Sequence, residues 1–365
     1  ECFMIIERNI YLNKLIASMH NGLVKVITGP RRSGKSFLLF EIFKNYLLNQ
    51  GINSNHIIEI KLDDIRNIKY RNPMFLSEYL DSKIIHDGNM NYLLIDEIQF
   101  VQIIENPYLK GNYISFYDIL NSYISMNDID VYVTGSNSHM LSTDIATEFR
   151  GRDWQIRIHP LSFREFLSSY ESNRNKYDLW NEYLIYGGLP GCAILKDDIS
   201  KQNYLKSVYN TSYIKDVIDR YNLRANTIIS DVTKVIASTV GSLVNPDKIA
   251  KTFLSKEKQT ASASTIKLYL SYLENSFLIS EVKRYNLNGR SLIGGGKKYY
   301  FEDMGLRNTP LDFKMINIEP HLMENIVYNE LIIQDFNVFV GSIDCFETND
   351  GKRKHLIREI DFIAE

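Results

Sequence analysis

Cysteine is scarce in this chain: Cys2, Cys192 and Cys345 are the only three in 365 residues. Thiols so few and so far apart make neither a disulfide framework nor a zinc cage. Three reduced thiols fit a cytoplasmic protein. Long apolar runs are missing too. None approaches the ~20 residues that a membrane span needs, and no N-terminal stretch has the layout of a signal peptide. No segment repeats and none is of low complexity. Net charge is small, 42 Lys and Arg against 44 Asp and Glu, which argues against a strong nucleic-acid partner for the chain as a whole. A 44% hydrophobic and 24% charged composition excludes a disordered or collagen-like chain. The length allows two or three domains. Met4 is a natural start, so residues 1–3 are expected to be an upstream remnant.

The small net charge hides an asymmetry. Residues 201–300 hold sixteen Lys and Arg against seven Asp and Glu, a net +9 that leaves −11 for the rest. One block is basic and the remainder acidic, which asks for a partner-based explanation.

The N-terminal part alternates two periodicities. Residues 23–28 (LVKVIT), 57–62, 92–96 (YLLID) and 131–135 (VYVTG) read as buried strands. Residues 36–49 have helical apolar spacing and stop at Gly51. Strands alternating with helices imply a parallel sheet covered on both faces. From about residue 161 the strand signals fade. Residues 161–222 read as mostly helical, broken by YGGLPG at 186–191. Residues 228–280 give three helical stretches with a polar break at 255–264, and 278–301 read as a hairpin around NGRSLIGGGKK. The tail, 320–365, reads as one helix followed by strand-like runs at 337–340 and 356–364. Ending on a strand suggests a chain that was cut short.

GPRRSGKS at 29–36 matches GxxxxGK(S/T) at every fixed position, after a strand and before a helix. Gly29 and Gly34 let the backbone curl so that its N–H groups face phosphate oxygens. The helix beginning near Lys35 adds its positive dipole end. Lys35 is expected to reach the β- and γ-phosphates and the Ser36 hydroxyl to ligate Mg²⁺. The candidate nucleotide-binding set is therefore Gly29, Pro30, Arg31, Arg32, Ser33, Gly34, Lys35 and Ser36, with Phe37 just beyond. LLIDEIQ at 93–99 supplies the partner acids. Asp96 is expected to hold Mg²⁺ through water, and Glu97 to polarise the attacking water as general base. VYVTGSNSHML at 131–141 ends in Ser136 and Asn137, where a polar side chain can hold that water; a plain Ser/Asn turn is the alternative.

These pieces, in this order, resemble the bacterial and archaeal AAA-type P-loop ATPases. More narrowly, the chain resembles the STAND-like family that joins such an ATPase to a winged helix and a restriction-endonuclease-like domain. The matching stretches include ERNIYLNKL (7–15), FRGRDWQIRIHPLSFREF (149–166), YGGLP (186–190), STIKLYLSYLENSFLI (264–279), YYFEDMGLRN (299–308) and HLMENIVYNEL (321–331). The resemblance implies an ATPase core at 1–160, a helical lid at 161–225, a winged helix at 226–300 and the start of a PD-(D/E)xK nuclease-like domain at 301–365. It implies Arg8 and Leu12 beside the adenine and Pro190, in the GGLP turn, packed upon it. A simple turn between helices is the alternative for 186–191. Arg150 or Arg152 would bring a planar cationic fork to the γ-phosphate, in the same subunit or a neighbour; a surface ion pair is the plainer option.

The basic block coincides with the expected winged helix, with Ser264 as its helix N-cap. The following hairpin carries Lys283, Arg284, Arg290, Lys297 and Lys298, which can follow the backbone of double-stranded DNA with salt-sensitive affinity. A packing module is the alternative. In the tail, Glu324 and Asp361 fit two positions of a nuclease site, whose third element would lie beyond Glu365, so nuclease activity is not expected of this chain. The leading expectation is thus an ATP- and Mg²⁺-dependent hydrolase. DNA binding or cleavage regulated by ATP, and a nucleotide-locked scaffold for protein partners, are the other readings.

Overall fold

Valine, isoleucine and tyrosine crowd the strands of the N-terminal unit, and their burial on both faces explains why. The strands are β1 (Val24–Thr28), β2 (Ile57–Lys61), β3 (Asn91–Asp96), a short ribbon of β4 (Ile104–Glu105) with β5 (Tyr113–Ile114), then β6 (Ile129–Gly135) and β7 (Asp153–Arg157). In the computed structural model, which describes residues 6–136, 149, 151–170, 174–223, 227–254, 261–289, 291–314, 319–349 and 352–365, five of them form one parallel sheet. Its order is β2-β3-β6-β1-β7. The period of two sends Leu93 and Ile95 to one face and Tyr92 and Leu94 to the other. The first face packs on helix Pro73–Lys83 through Leu76 and Leu80 and on helix Phe116–Ile124 through Ile119, Leu120 and Tyr123. The second packs on helix Asn9–Ala17 through Tyr11 and Leu15 and on the continuous helix 35–49 through Leu39, Phe43 and Leu47. A doubly covered parallel sheet of this kind is the expected consequence of right-handed strand–helix–strand crossovers.

One charge pair is sealed inside this unit. Lys25 on β1 is fully buried and bonded to Asp130 on β6, whose carboxylate also accepts from Tyr132 Oη at 2.8 Å and from the His20 amide at 3.0 Å. Burial pulls the lysine below its ordinary pKa, while Asp130 pulls it back.

Contacts divide the chain into Glu1–Ile158 and His159–Glu365. The second unit begins with helices Phe163–Ser168, Lys176–Tyr186 and Pro190–Ala193, a continuous helix 198–220, and helices Thr227–Ser238, Pro246–Thr252 and Ala263–Asn275. Ser262, not Ser264, caps the last of these: its hydroxyl accepts from the Thr265 amide at 3.1 Å, which puts Ser264 inside the first turn. β8 (Ile279–Asn286) and β9 (Ser291–Phe301) follow as an antiparallel hairpin, then helices Met304–Asn308 and Glu319–Ile333, then β10 (Val338–Asn349) and β11 (Lys352–Ala364). The tail strands are longer than the runs 337–340 and 356–364 suggested. All four strands share one sheet, ordered β11-β10-β8-β9, with β8 and β10 parallel. Among the described residues no helix is long and apolar enough to cross a membrane.

The turn 187–191 is glycine-rich because it folds tightly around other atoms. Gly187 has φ +71°, and a Cβ there would lie 2.3 Å from the Asp303 carboxylate; one on Gly188 would meet the Leu161 carbonyl oxygen at 2.3 Å. Asp303 is buried under this turn. It accepts from the amides of Gly188 (2.7 Å) and Leu306 (3.0 Å), with those of Gly305 and Leu189 close by. Burial still lifts its pKa from 3.8 to about 6.

Candidate nucleotide-binding site

The ends of β1, β3 and β6 lie side by side in the first unit, and each delivers polar residues at its C-terminal end. In an open parallel sheet this rim is where ligands are bound. β1 runs into the loop 29–34. Gly29 has φ +144°, and a Cβ on it would stand 2.1 Å from the Ile158 carbonyl oxygen, so the backbone passes where no side chain fits. Gly34 has φ +94° and opens helix 35–49. Arg32 is left-handed as well, at φ +66°, and exposed. Ser33 is buried and its hydroxyl donates to the Pro30 carbonyl at 2.8 Å, a brace inside the loop. Arg31 is half-buried and Phe37 is 43% exposed.

Lys35 is buried, and its Nζ donates to the carbonyls of Gly29 (3.0 Å) and Pro30 (2.8 Å). Burial lowers its pKa to about 8, against the opposing pull of Glu97 and Asp96; Arg31 adds to the lowering. An arriving phosphate would replace those carbonyls with a true counter-charge. Asp96 is buried, and burial raises its pKa, opposed by hydrogen bonds from Thr134 and Ser36. Ser36 thus lies close enough to Asp96 to lower its pKa. Two adjacent hard oxygens are the donor set that a magnesium ion takes beside phosphates.

Glu97 follows Asp96 in a left-handed conformation, φ +55°. One hydroxyl fixes both acids: Thr134 Oγ1 accepts from the Glu97 amide at 2.9 Å and donates to Asp96 Oδ1. Ser136 is buried, and its Oγ donates to Glu97 Oε2 at 3.2 Å. Gln99 Nε2 donates to the same oxygen and to Ser136 Oγ. Neither Thr134 nor Gln99 was singled out from the sequence, because their meaning lies in the adjacency of β3 and β6. The spacing Thr134-x-Ser136 at the end of a strand, which puts both on one face, was the available signal.

Arg8 is brought to this site from the N-terminal side. Its Nη1 donates to the Ser33 carbonyl at 3.0 Å, and its guanidinium lies 4.6 Å from the Tyr11 ring centroid. Leu12 is half-buried against the core that contains Ile27 and Leu38. Arg152 is not brought in. Its carbonyl accepts from the Val24 amide, at the opposite end of β1 from the loop. Four rises of ~3.3 Å separate the two ends of β1 by roughly 13 Å, beyond the reach of one arginine, so Arg152 cannot serve the phosphates of its own subunit. Arg157, opposite Thr28 in register, is the β7 arginine at the loop end. Asn137 and Arg150 lie outside the described residues. Pro190 lies in the second unit, at the first position of helix Pro190–Ala193.

Residues 21–167 match the family model described as an AAA domain, and residues 177–316 match a domain of unknown function. An uncharacterized protein of Haemophilus influenzae is 34% identical over 363 residues, 99% of this chain and 84% of its own length. The chain belongs to this AAA-domain family. An uncharacterized protein of Methanocaldococcus jannaschii is 28% identical over 376 residues, covering 97% of this chain and 77% of its own. Among solved structures, the ORC1 protein of Aeropyrum pernix in complex with DNA overlaps 85% of this AAA-domain chain and 93% of itself, at 11% identity and a TM-score of 0.33. Cdc6p of Pyrobaculum aerophilum overlaps 89% and 96%, at 12% identity and 0.35. Overlaps this loose bear on neither partner nor activity.

Proposed function

We propose that this AAA-domain protein binds ATP with Mg²⁺ and hydrolyses it, and that nucleotide state sets the arrangement of the segments beyond residue 160. The convergence at one sheet rim of a buried lysine, a serine beside an aspartate and a glutamate held by a serine carries this reading. Lys35 and the loop amides of 29–36 would hold the phosphates. Ser36 and Asp96 would hold Mg²⁺, which when bound neutralises charge on the phosphate oxygens. Glu97 would take the proton of the attacking water and Ser136 would orient that water. Arg8, which also braces the loop through the Ser33 carbonyl, and Leu12 would lie beside the adenine, and Pro190 would pack upon it. Arg152, at the far end of β1, would serve a neighbouring copy's nucleotide, and Arg150 would serve the nucleotide of its own subunit or of a neighbour.

Reading 226–300 as a winged helix and 301–365 as the start of a nuclease-like domain rests on the sequence resemblance. Lys298 is buried between Glu324 (2.8 Å) and Glu359 (2.6 Å), and Tyr300 also donates to Glu324. Glu324 is thereby occupied with neutralising a lysine. Among the described residues no group of three His, Cys, Asp or Glu could hold a metal.

Duplex DNA is the second reading, favoured by the +9 charge of 201–300. With Lys298 buried and Lys297 paired to Glu281 at 2.7 Å, it would rest on Lys283, Arg284 and Arg290, the last of which lies outside the described residues. One experiment covers both readings: ATP turnover of the wild type and Glu97→Gln, with and without duplex DNA at low salt. Loss of a general base is expected to slow turnover by roughly 10²–10⁴-fold. Stimulation by DNA that fades with salt would favour the second reading. Bound nucleotide with turnover near zero and no response to DNA would mean a switch or scaffold for protein partners.

A further inference from the structure

Three side chains close a ring of hydrogen bonds at the end of β3. Ser136 Oγ donates to Glu97 Oε2, and Gln99 Nε2 donates both to that oxygen and to Ser136 Oγ. The protons are all assigned, since a serine has one O–H and a carboxamide two N–H. Turning the amide over would set its oxygen against a carboxylate, so the nitrogen must face Glu97. Gln99 Oε1 is left buried with no hydrogen-bond partner among the described residues, a costly arrangement that serves the nitrogen's two bonds. The backbone leaves little slack. Glu97 is left-handed with its amide on Thr134, and Ile98 is fully buried in the turn Ile98–Phe100 that carries Gln99.

We infer that Gln99 is a positioning residue for Glu97, one that keeps the carboxylate aimed when a γ-phosphate takes the Ser136 proton. This rests on the ATPase reading above. Ser136 has a single proton and cannot give it to Glu97 and to a phosphate oxygen together. When it turns to phosphate, Glu97 loses one of two side-chain hydrogen bonds and gains a lone pair for the water's proton. Gln99 still holds both Glu97 Oε2 and Ser136 Oγ, so neither swings away. Arrival of the γ-phosphate is thereby read out as an armed base.

Gln99→Met keeps the length of the side chain and removes its donors. ATP affinity, measured by fluorescent-nucleotide titration in EDTA, is expected to stay within about threefold of wild type, with KM unchanged, because uniform binding is untouched. The kcat is expected to fall by about 10- to 100-fold, the scale of a misaimed catalytic group. In the Glu97→Gln background the same substitution should change the residual single-turnover rate little, because the two residues act as one unit. A wild-type kcat in Gln99→Met, or equal losses in both backgrounds, overturns the inference and leaves the ATPase reading intact. A fall confined to nucleotide affinity overturns it as well. A wild type that never turns over ATP overturns the ATPase reading, and this inference with it.

Discussion

Asp303 should make the second unit less stable as pH rises, the reverse of a salt-bridged acid. Its carboxyl has an ordinary pKa of 3.8, and burial lifts it to about 6 although four backbone amides pull the other way. Between those two values the native state holds a proton that the unfolded chain has released, so stability falls with rising pH. The rise corresponds to about 3 kcal/mol at 1.36 kcal/mol per pH unit. That contribution is complete below pH 3.8 and is lost as pH climbs through about 6. The chain offers its own probe. It has two tryptophans, Trp154 in the first unit and Trp180 in helix Lys176–Tyr186, which leads into the turn over Asp303. In a Trp154→Phe background, urea unfolding followed by Trp180 fluorescence reports the unit that contains Asp303. Asp303→Asn removes the titration and one acceptor oxygen. It should be the less stable form near pH 4, by about 1–3 kcal/mol for the orphaned amide. The gap should then close by about 3 kcal/mol towards pH 7. Other titrating groups cancel in the comparison. A difference between the two proteins that stays constant across this range would refute the reasoning.

Two further outcomes follow from the first unit. Asp130→Asn leaves Lys25 fully buried without its counter-charge, and should cost about 3–5 kcal/mol, read as a lower urea midpoint by Trp154 fluorescence. Gly29→Ala puts a methyl group 2.1 Å from the Ile158 carbonyl oxygen; the loop must shift, and nucleotide titration should show affinity lost while circular dichroism stays that of a folded protein.

Strands β1, β2, β3 and β6 were legible because buried parallel strands are runs of β-branched and aromatic residues, and the glycine loop because its spacing is tied to a chemistry. β7 was not. DWQIR alternates poorly, Trp154 on it is 47% exposed, and it lies at the sheet edge, where only one neighbour selects its residues. Lys35, Ser36, Asp96, Glu97 and Ser136 were readable and meet at one rim. Thr134 and Gln99 were not, since a threonine in a strand and a glutamine in a turn acquire meaning only when a neighbouring strand is beside them. Arg152 illustrates the same limit: the sequence distance from β6 is short, but a parallel strand must return to the far end before it begins, and it carries the arginine there. Ser262 and Ser264 are both plausible caps by composition, and only the hydrogen bond to Thr265 separates them.

The shared sheet of the second unit has a practical consequence for anyone dividing this protein. A fragment that stops after β9 keeps the hairpin but strips β10 from β8, leaving the bare amides and carbonyls of Arg284, Tyr285 and Asn286 where a parallel neighbour had been. Such an edge recruits other chains. Lys298 would lose Glu324 and Glu359 in the same cut. A piece cut from this chain should therefore keep β10 and β11 with the hairpin, and an expression trial that trims 159–365 at residue 301 should yield more aggregate than the untrimmed piece.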